Sequence, residues 1–424
     1  MQKTYEVKER LKKRVILVTV SLHEDRKKGW GQEDSQAEFT ELALSSGVKI
    51  LDHIIARVDE PTANFLLGKG KASEIHDMVH SHEKDIDAVI FSENLSSTQQ
   101  RNLQEFLGVK IMDRTQIILD IFSQRAHTNE GKLQVEFAQL EYLLPRLAGI
   151  GIKLSQLGGG IGTRGPGEKM IETDRRGVMR RIKYVKSELA DLSRRRKSLR
   201  QNRMDHSVAT VAVIGYTNAG KSTLLNKLTG SDVLSDNKLF STLDLTSRKM
   251  TLPNNQKILL VDTVGFIHKL PHNLIEAFKA TLEEVKEADL LLHVLDISNP
   301  KANEHLNAVY EVLKEIDSYQ KPVVTALNKI DLVENNFITE RFRRNITDSV
   351  AISAKEGTSL KALVDIIKKR TPVLMEKVDV LIPHSRMPVL NYIYEQGQVL
   401  ERKDTPEGVR VKAIIPLHLK SKLL

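Results

Sequence analysis

Apolar positions along the chain keep two rhythms. Over 15–20, 48–58, 87–91 and 109–112 they form short runs rich in Val and Ile, the pattern of strands, whereas over 36–45, 72–80, 97–106 and 115–125 they recur at helical spacing. This alternation predicts a small α/β domain with a mostly parallel sheet at 1–130. Leu133, Phe137, Leu140, Leu144 and Leu147 then step by four, three, four and three. Val178, Ile182, Val185, Leu189, Leu192 and Leu199 repeat the heptad seam, which Arg196 interrupts. Two seams can bury each other, so 131–205 is expected to be an antiparallel helical hairpin. Its tip, Gly149 to Gly167, holds eight glycines in nineteen residues and is expected to be a mobile loop with little capacity for helix or strand.

Further apolar runs at 208–214, 257–261, 321–327 and 349–352 predict the strands of a second α/β domain at 206–372. Past Thr371-Pro372, the stretch 373–424 reads strand (378–382), helix (388–394) and two strands (398–402 and 409–415) around a turn at Thr405 to Gly408. That is a small α+β module.

Composition narrows the class. With 424 residues, 40% hydrophobic and 28% charged, the chain has the make-up of a folded protein of about three domains. It has no cysteine, which excludes disulfides, thiolate zinc, iron–sulfur clusters and a cysteine nucleophile. The early apolar run at 15–20 is too short to span a bilayer and leads into charged residues rather than a cleavage site, so a cytoplasmic protein without a membrane span is expected. Net charge is +9, and its location matters more than its size. Between Arg175 and Arg203 stand twelve Lys or Arg against only Glu188 and Asp191, so this one segment holds the whole excess. One reading is a solvated helix face. The other is an arm that contacts RNA phosphate, without base stacking, since Tyr184 is the segment's sole aromatic residue.

The strand at 208–214 runs into Gly215-Tyr216-Thr217-Asn218-Ala219-Gly220-Lys221-Ser222, a complete GxxxxGK[ST] phosphate loop, followed by a helical stretch. Backbone N–H groups of such a loop wrap phosphates, Lys221 reaches the β and γ oxygens, and the Ser222 hydroxyl suits Mg²⁺. The next strand ends in Asp262-Thr263-Val264-Gly265, an acid placed to hold Mg²⁺ through water and a glycine whose N–H meets the γ-phosphate. A third ends in Asn328-Lys329-Ile330-Asp331, whose carboxylate suits the paired donors of guanine and not adenine, and Ser353-Ala354-Lys355 follows the fourth to close over the base. Four such motifs in order, each at the end of a predicted strand, indicate GTP. Within Phe240-Ser241-Thr242-Leu243-Asp244, Thr242 is the candidate switch threonine for Mg²⁺ and γ-phosphate, with Thr246 the competitor. Phe266 stands where many GTPases carry a water-orienting glutamine, so hydrolysis needs other help. Asn218 is the candidate ligand for a potassium ion beside the β and γ phosphates, or else it only bonds the loop backbone. The catalytic set is then Asn218, Lys221, Thr242 and Gly265. A weaker phosphate candidate is Gly68-Lys69-Gly70-Lys71 at the start of a helix, for which an ordinary loop is the alternative.

Asp113-Arg-Thr115, Asp120-Ile-Phe122, Gln134-Val135, Gly159-Gly-Ile-Gly-Thr-Arg-Gly-Pro-Gly-Glu168, Asp174-Arg-Arg176 and the loop Gly215–Ser222 together resemble the HflX family of ribosome-associated GTPases, over about residues 15 to 370. Departures are Lys169-Met-Ile171, where the family more often has Thr-Gln-Leu, and Leu245, where proline is usual. The resemblance implies docking of the GTP form on the large ribosomal subunit, separation of stalled or idle ribosomes, and potassium-aided hydrolysis. Two other readings stay open: a tRNA-modification GTPase, a class that often carries a reactive cysteine this chain lacks, and an RNA-remodelling NTPase acting through the N-terminal domain at Gly68–Lys71.

Overall fold

The structure, a computed structural model, describes residues 13–27, 29–81, 86–155, 166–205, 208–230, 239–240, 246–269, 271, 274, 279–417 and 419–420. The chain divides into two compact units, 1–186 with 271–277, and 187–270 with 278–424.

The first unit opens with β1 (Arg14–Leu22), α1 (His23–Lys27), α2 (Gln32–Ser45), β2 (Lys49–Val58), α3 (Lys69–Ser81), β3 (Ala88–Phe91), α4 (Ser97–Leu107), β4 (Lys110–Met112) and α5 (Arg114–Arg125). Its described strands are all parallel, in the order β2-β1-β3-β4. Seven consecutive residues of β1 are buried, as a strand covered on both faces requires. The Asp113-Arg-Thr115 motif has a structural use. Asp113 caps α5 by accepting the Gln116 amide at 2.9 Å, and it also accepts the Leu95 amide and the Arg146 guanidinium. Arg114 pairs with Glu38, and Thr115 donates to Asn94. Arg146 belongs to the long α6 (Asn129–Ser155), so the buried Asp113–Arg146 pair fastens that helix to the sheet domain, and breaking it would cost about 3–5 kcal/mol.

The second long helix, α7 (Pro166–Asp205), carries the basic segment. One expectation needs correction: helix runs through Gly149 and Gly151 to Ser155 and begins again at Pro166-Gly167, so less of the glycine-rich stretch is irregular than its composition predicts. Each helical glycine costs about 1 kcal/mol, which a long helix tolerates, and proline is favoured in a first helical turn. Residues 156–165, at the expected tip, lie outside the described residues. The seams also share their burial unevenly. Val135, Phe137, Ala138 and Tyr142 are the deeply buried apolar residues of α6, whereas Leu133, Leu140, Leu144 and Leu147 are half-buried. On α7, Val185 is fully buried and Val178, Ile182, Leu189 and Leu192 half-buried, while the basic residues between them are exposed. Arg181 grips Glu136 with two hydrogen bonds and Lys186 pairs with Glu141. Arg196 is no loose break in the seam: its guanidinium is mostly buried and meets Glu283.

The second unit contains β5 (Ala209–Gly215), α8 (Lys221–Thr229), β6 (Thr246–Thr251), β7 (Lys257–Asp262), α9 (Lys279–Glu287), β8 (Leu290–Asp296), α10 (Ala302–Glu315), β9 (Val323–Asn328), α11 (Asn336–Asn345), β10 (Ser349–Ala351) and α12 (Leu360–Arg370). They build a six-stranded sheet in the order β10-β9-β8-β5-β7-β6, with β6 antiparallel to β7. Apolar side chains of β5, β8 and β9 pack with α8 and α12 on one face. The chain's succession of strands reverses at β5, which is parallel to both β7 and β8, and there a doubly wound sheet opens a crevice at the carboxyl ends of its strands. The tail forms β11 (Met375–Pro383), α13 (Met387–Gln396), β12 (Gln398–Thr405) and β13 (Gly408–Pro416), an antiparallel sheet in the order β11-β13-β12 with Leu390 and Ile393 of the helix packed on it.

Candidate nucleotide site

The phosphate loop leaves the end of β5 at Gly215 and enters α8 at Lys221, so it leads directly into a helix N-terminus, the end of a helix that favours anions. Gly220 takes φ +94°, and a Cβ there would fall 2.4 Å from Asn328 Nδ2, so only glycine fits. Asn218 also adopts a left-handed φ of +60°, and it stands on the exposed rim of the loop. Lys221 lies inside. Its Nζ donates to the Gly215 and Tyr216 carbonyls at 3.2 and 2.8 Å, holding the loop in a ring around the ammonium. Burial pushes this ammonium down to about 8, with the Asp262 carboxylate acting in the other direction. An anion entering the ring meets a cation already stripped of water.

Asp262 ends β7 and is buried. One carboxylate oxygen accepts the Ser222 hydroxyl at 3.1 Å and the other accepts the Thr263 amide at 3.0 Å. Ser222 and Asp262 are therefore already paired as two oxygen donors of the hard kind that magnesium takes. Thr263 Oγ1 donates to the Val213 carbonyl, tying this segment to β5. Gly265 passes so close to the loop that a Cβ would lie 2.9 Å from both Lys221 Nζ and Thr217 Cγ2. Val264 and Phe266 are buried, and Phe266 is held by its backbone, donating to the Gly215 carbonyl at 3.1 Å and accepting the Thr217 amide at 2.7 Å. Its apolar ring in the interior offers nothing to an attacking water.

On the other side of the loop, Asn328 ends β9 and is buried. Its Nδ2 donates to the Ala219 carbonyl at 2.8 Å and its Oδ1 accepts the Ala354 amide at 2.9 Å, so one side chain joins the phosphate loop to Ser353-Ala354-Lys355. Ser353 Oγ accepts the Glu356 amide and rounds that turn. Lys329, at φ +64°, pairs with Asp296 at 2.7 Å, while Ile330 and Asp331 begin a short 3-10 turn with the Asp331 carboxylate exposed. Lys355 is also exposed.

The structure thus brings together Gly215–Ser222, Asp262–Gly265, Asn328–Asp331 and Ser353–Lys355 along one edge of the sheet. Phe240 is buried at φ +56°, but Ser241, Thr242, Leu243 and Asp244 lie outside the described residues. Thr246, the competitor, is the first residue of β6 and pairs opposite Asp262. Gly68–Lys71 lies in the other unit, where the Lys71 ammonium contacts both carboxylate oxygens of Glu74. Two features escaped sequence reading. Tyr216 stacks on His305 of α10, a pairing of residues 89 positions apart that no local pattern announces. His293 in β8 is buried with neither ring nitrogen hydrogen-bonded, and burial together with the Lys221 charge pushes it down to about 4.

A phosphate loop faced by an acid-to-glycine segment and flanked by an Asn-Lys-Ile-Asp turn, on a sheet of this order, is the chemistry of a P-loop GTPase. Comparison with known proteins agrees. The family models described as GTP-binding GTPase N-terminal, GTP-binding GTPase Middle Region, 50S ribosome-binding GTPase and HflX C-terminal domain match residues 33–123, 125–203, 210–329 and 338–418. The GTPase HflX of Caldanaerobacter subterraneus subsp. tengcongensis is 44% identical over 97% of this chain and 93% of its own length. That of Escherichia coli strain K12 is 42% identical over 84% and 82%. The chain belongs to the HflX family of GTPases. The match extends through the C-terminal module, beyond residue 370 where the motif resemblance ends. Among solved structures, a GTP-binding protein of Sulfolobus solfataricus in complex with GDP aligns over 84% of this chain and 98% of that one, at 25% identity and a TM-score of 0.44. Among the described residues, no helix is long and apolar enough to cross a membrane.

Proposed function

We propose that this GTPase acts on the large ribosomal subunit, binding its RNA in the GTP form through the basic face of α7 and promoting dissociation or rescue of stalled or idle ribosomes in the cytoplasm. The observation that carries the reading is the sorting of side chains on α7: the seam residues Val178, Ile182, Val185, Leu189 and Leu192 are buried or half-buried while Arg175, Arg180, Lys183, Arg195 and Lys197 are exposed on a helix whose basic segment holds the chain's whole charge excess. A merely solvated face would mix both signs, as surface helices do. The match of residues 210–329 to a model described as a 50S ribosome-binding GTPase supports the same partner. RNA phosphate is the contact this face suits, and binding would fall steeply with salt.

In this reading, Lys221 and the loop N–H groups hold the β and γ phosphates, the Gly265 amide senses the third phosphate, and Asp331 accepts the guanine donors beneath Ser353–Lys355. Ser222 and Asp262, with Thr242, would hold magnesium, which supplies neutralising charge at the β–γ linkage when bound. Asn218 would offer its side-chain oxygen to potassium, replacing the positive charge that an arginine finger brings elsewhere. The buried Phe266 leaves water positioning to the backbone of this segment and to the ribosome.

Sucrose-gradient sedimentation of joined ribosomes with the full chain tests the proposal. With GTP or a non-hydrolysable analogue, free subunits should increase and the chain should travel with the large one. Intact ribosomes under both nucleotides, or equal binding to free tRNA, would overturn it.

A further inference from the structure

We infer that Tyr216 is a positioning residue for hydrolysis, its ring held against His305 of α10 and its hydroxyl fixing the segment that follows Gly265. This concerns the GTPase reaction itself and does not depend on the ribosomal reading. Tyr216 and Phe266 form a parallel bridge between the phosphate loop and that segment, made by the Phe266 amide on the Gly215 carbonyl and the Thr217 amide on the Phe266 carbonyl. In a strand pair, the next donor of the segment, the His268 amide two residues on, would meet the next carbonyl of its partner. The loop has turned away by then. The Tyr216 hydroxyl takes that carbonyl's place, accepting the His268 amide at 2.7 Å. A side chain thus supplies one more rung to a ladder that the backbone cannot continue.

The hydroxyl is useful only if the ring cannot swing, and three contacts restrain it. Tyr216 is 5% exposed, its own backbone is fixed by the bridge, and its ring lies parallel to His305, with centroids 3.8 Å apart and planes 6° from parallel. His305 is itself 9% exposed in the first turns of α10, where its amide donates to Lys301. Gly265 is therefore followed by two anchored amides, at Phe266 and His268. Its own N–H, to which the proposed function gives the third phosphate, has its position set against Lys221 by those anchors. Where a glutamine would act through its own side chain, this chain has Phe266, so placement of the backbone carries more of the task.

The test uses the full chain and three variants, Tyr216→Phe, His305→Ala and His305→Phe. Tyr216→Phe keeps the ring and its stack and removes the hydroxyl that accepts the His268 amide. It should lower kcat about three- to tenfold, the worth of one hydrogen bond, and weaken binding of a GTP analogue more than binding of GDP, which lacks the third phosphate. Amide hydrogen exchange at His268 should speed up in this variant while Phe266 stays protected. His305→Ala should lower kcat in the same direction, and His305→Phe, which restores a stacking ring, should recover it relative to His305→Ala. A purely structural Tyr216 would instead reduce GDP and GTP affinity equally, with unchanged kcat and uniform exchange. That result, or a His305→Phe chain no faster than His305→Ala, would overturn the inference.

Discussion

Asn328 donates its side-chain amide to the Ala219 carbonyl at 2.8 Å, a bond between the end of β9 and the phosphate loop 109 positions earlier in the chain. Its other end accepts the Ala354 amide, so the phosphate-holding and base-closing loops share one buried fastener. Asn328→Ala would leave two buried backbone groups without partners, each worth about 1–3 kcal/mol. GDP affinity should fall at least tenfold in a fluorescent-nucleotide titration. An affinity within twofold of the parent would mean that the two loops hold their positions independently.

Asp331 should set base choice. Its carboxylate is exposed, three residues past the buried Asn328 and next to the turn that Lys329 anchors on Asp296, and it suits the N1–H and exocyclic amine of guanine. Asp331→Asn is expected to shift preference from guanine toward xanthine nucleotides, measured by competition against labelled GDP. Unchanged guanine preference would remove Asp331 from the base site.

His293 should make stability fall in mild acid. Its folded pKa is lowered to about 4 by burial and the nearby Lys221 charge, so between that value and about 6.5 the unfolded chain binds a proton that the folded chain does not. Stability is then complete above the unfolded pKa and declines as pH drops toward 4, by about 3 kcal/mol across the window from this group. Urea titrations from pH 7.5 to 4.5 should show the decline, and His293→Phe should flatten it. A parallel decline in both chains would assign the acid sensitivity to other groups.

Much of this architecture was legible in advance because its signals are local. A strand buried on both faces, such as β1, shows as an unbroken apolar run, and β5 announces itself together with the loop it feeds. Helix ends were less legible: α6 runs to Ser155 through Gly149 and Gly151, glycines that a long helix tolerates but that look in composition like a loop. The site's bracing was least legible. Asn328 was visible as a motif member, but its bonds to Ala219 and Ala354 depend on how β9 lies beside β8 and β10. Tyr216 carried no signal for His268 or His305, since an aromatic residue in a phosphate loop has many possible neighbours. Likewise Arg196 looked like a flaw in a seam until Glu283 was found facing it.

The proposed potassium role of Asn218, on the exposed rim of the loop with Phe266 in the interior, makes a kinetic prediction. GTPase rate should be higher in potassium than in sodium at equal ionic strength, and Asn218→Ala should abolish the difference with little effect on GDP affinity. Positive charge between the β and γ phosphates acts mainly on the transition state, whereas ground-state binding rests on the loop backbone and Lys221. Equal rates in the two salts, with and without large subunits, would leave Asn218 a structural residue.

The most direct measurement of the central claim is the salt dependence of large-subunit binding in a non-hydrolysable GTP analogue. The parent chain should be compared with a variant carrying Arg180, Lys183, Arg195 and Lys197 as glutamine. Arg196 is left in place because it meets Glu283. Each phosphate contact contributes roughly 0.7–0.9 to the slope of log K against log salt, so the variant should bind more weakly and with a slope shallower by about 3. Its affinity for GTP should be unchanged. Identical affinity and slope in the two chains would contradict the claim that α7 docks this GTPase on ribosomal RNA.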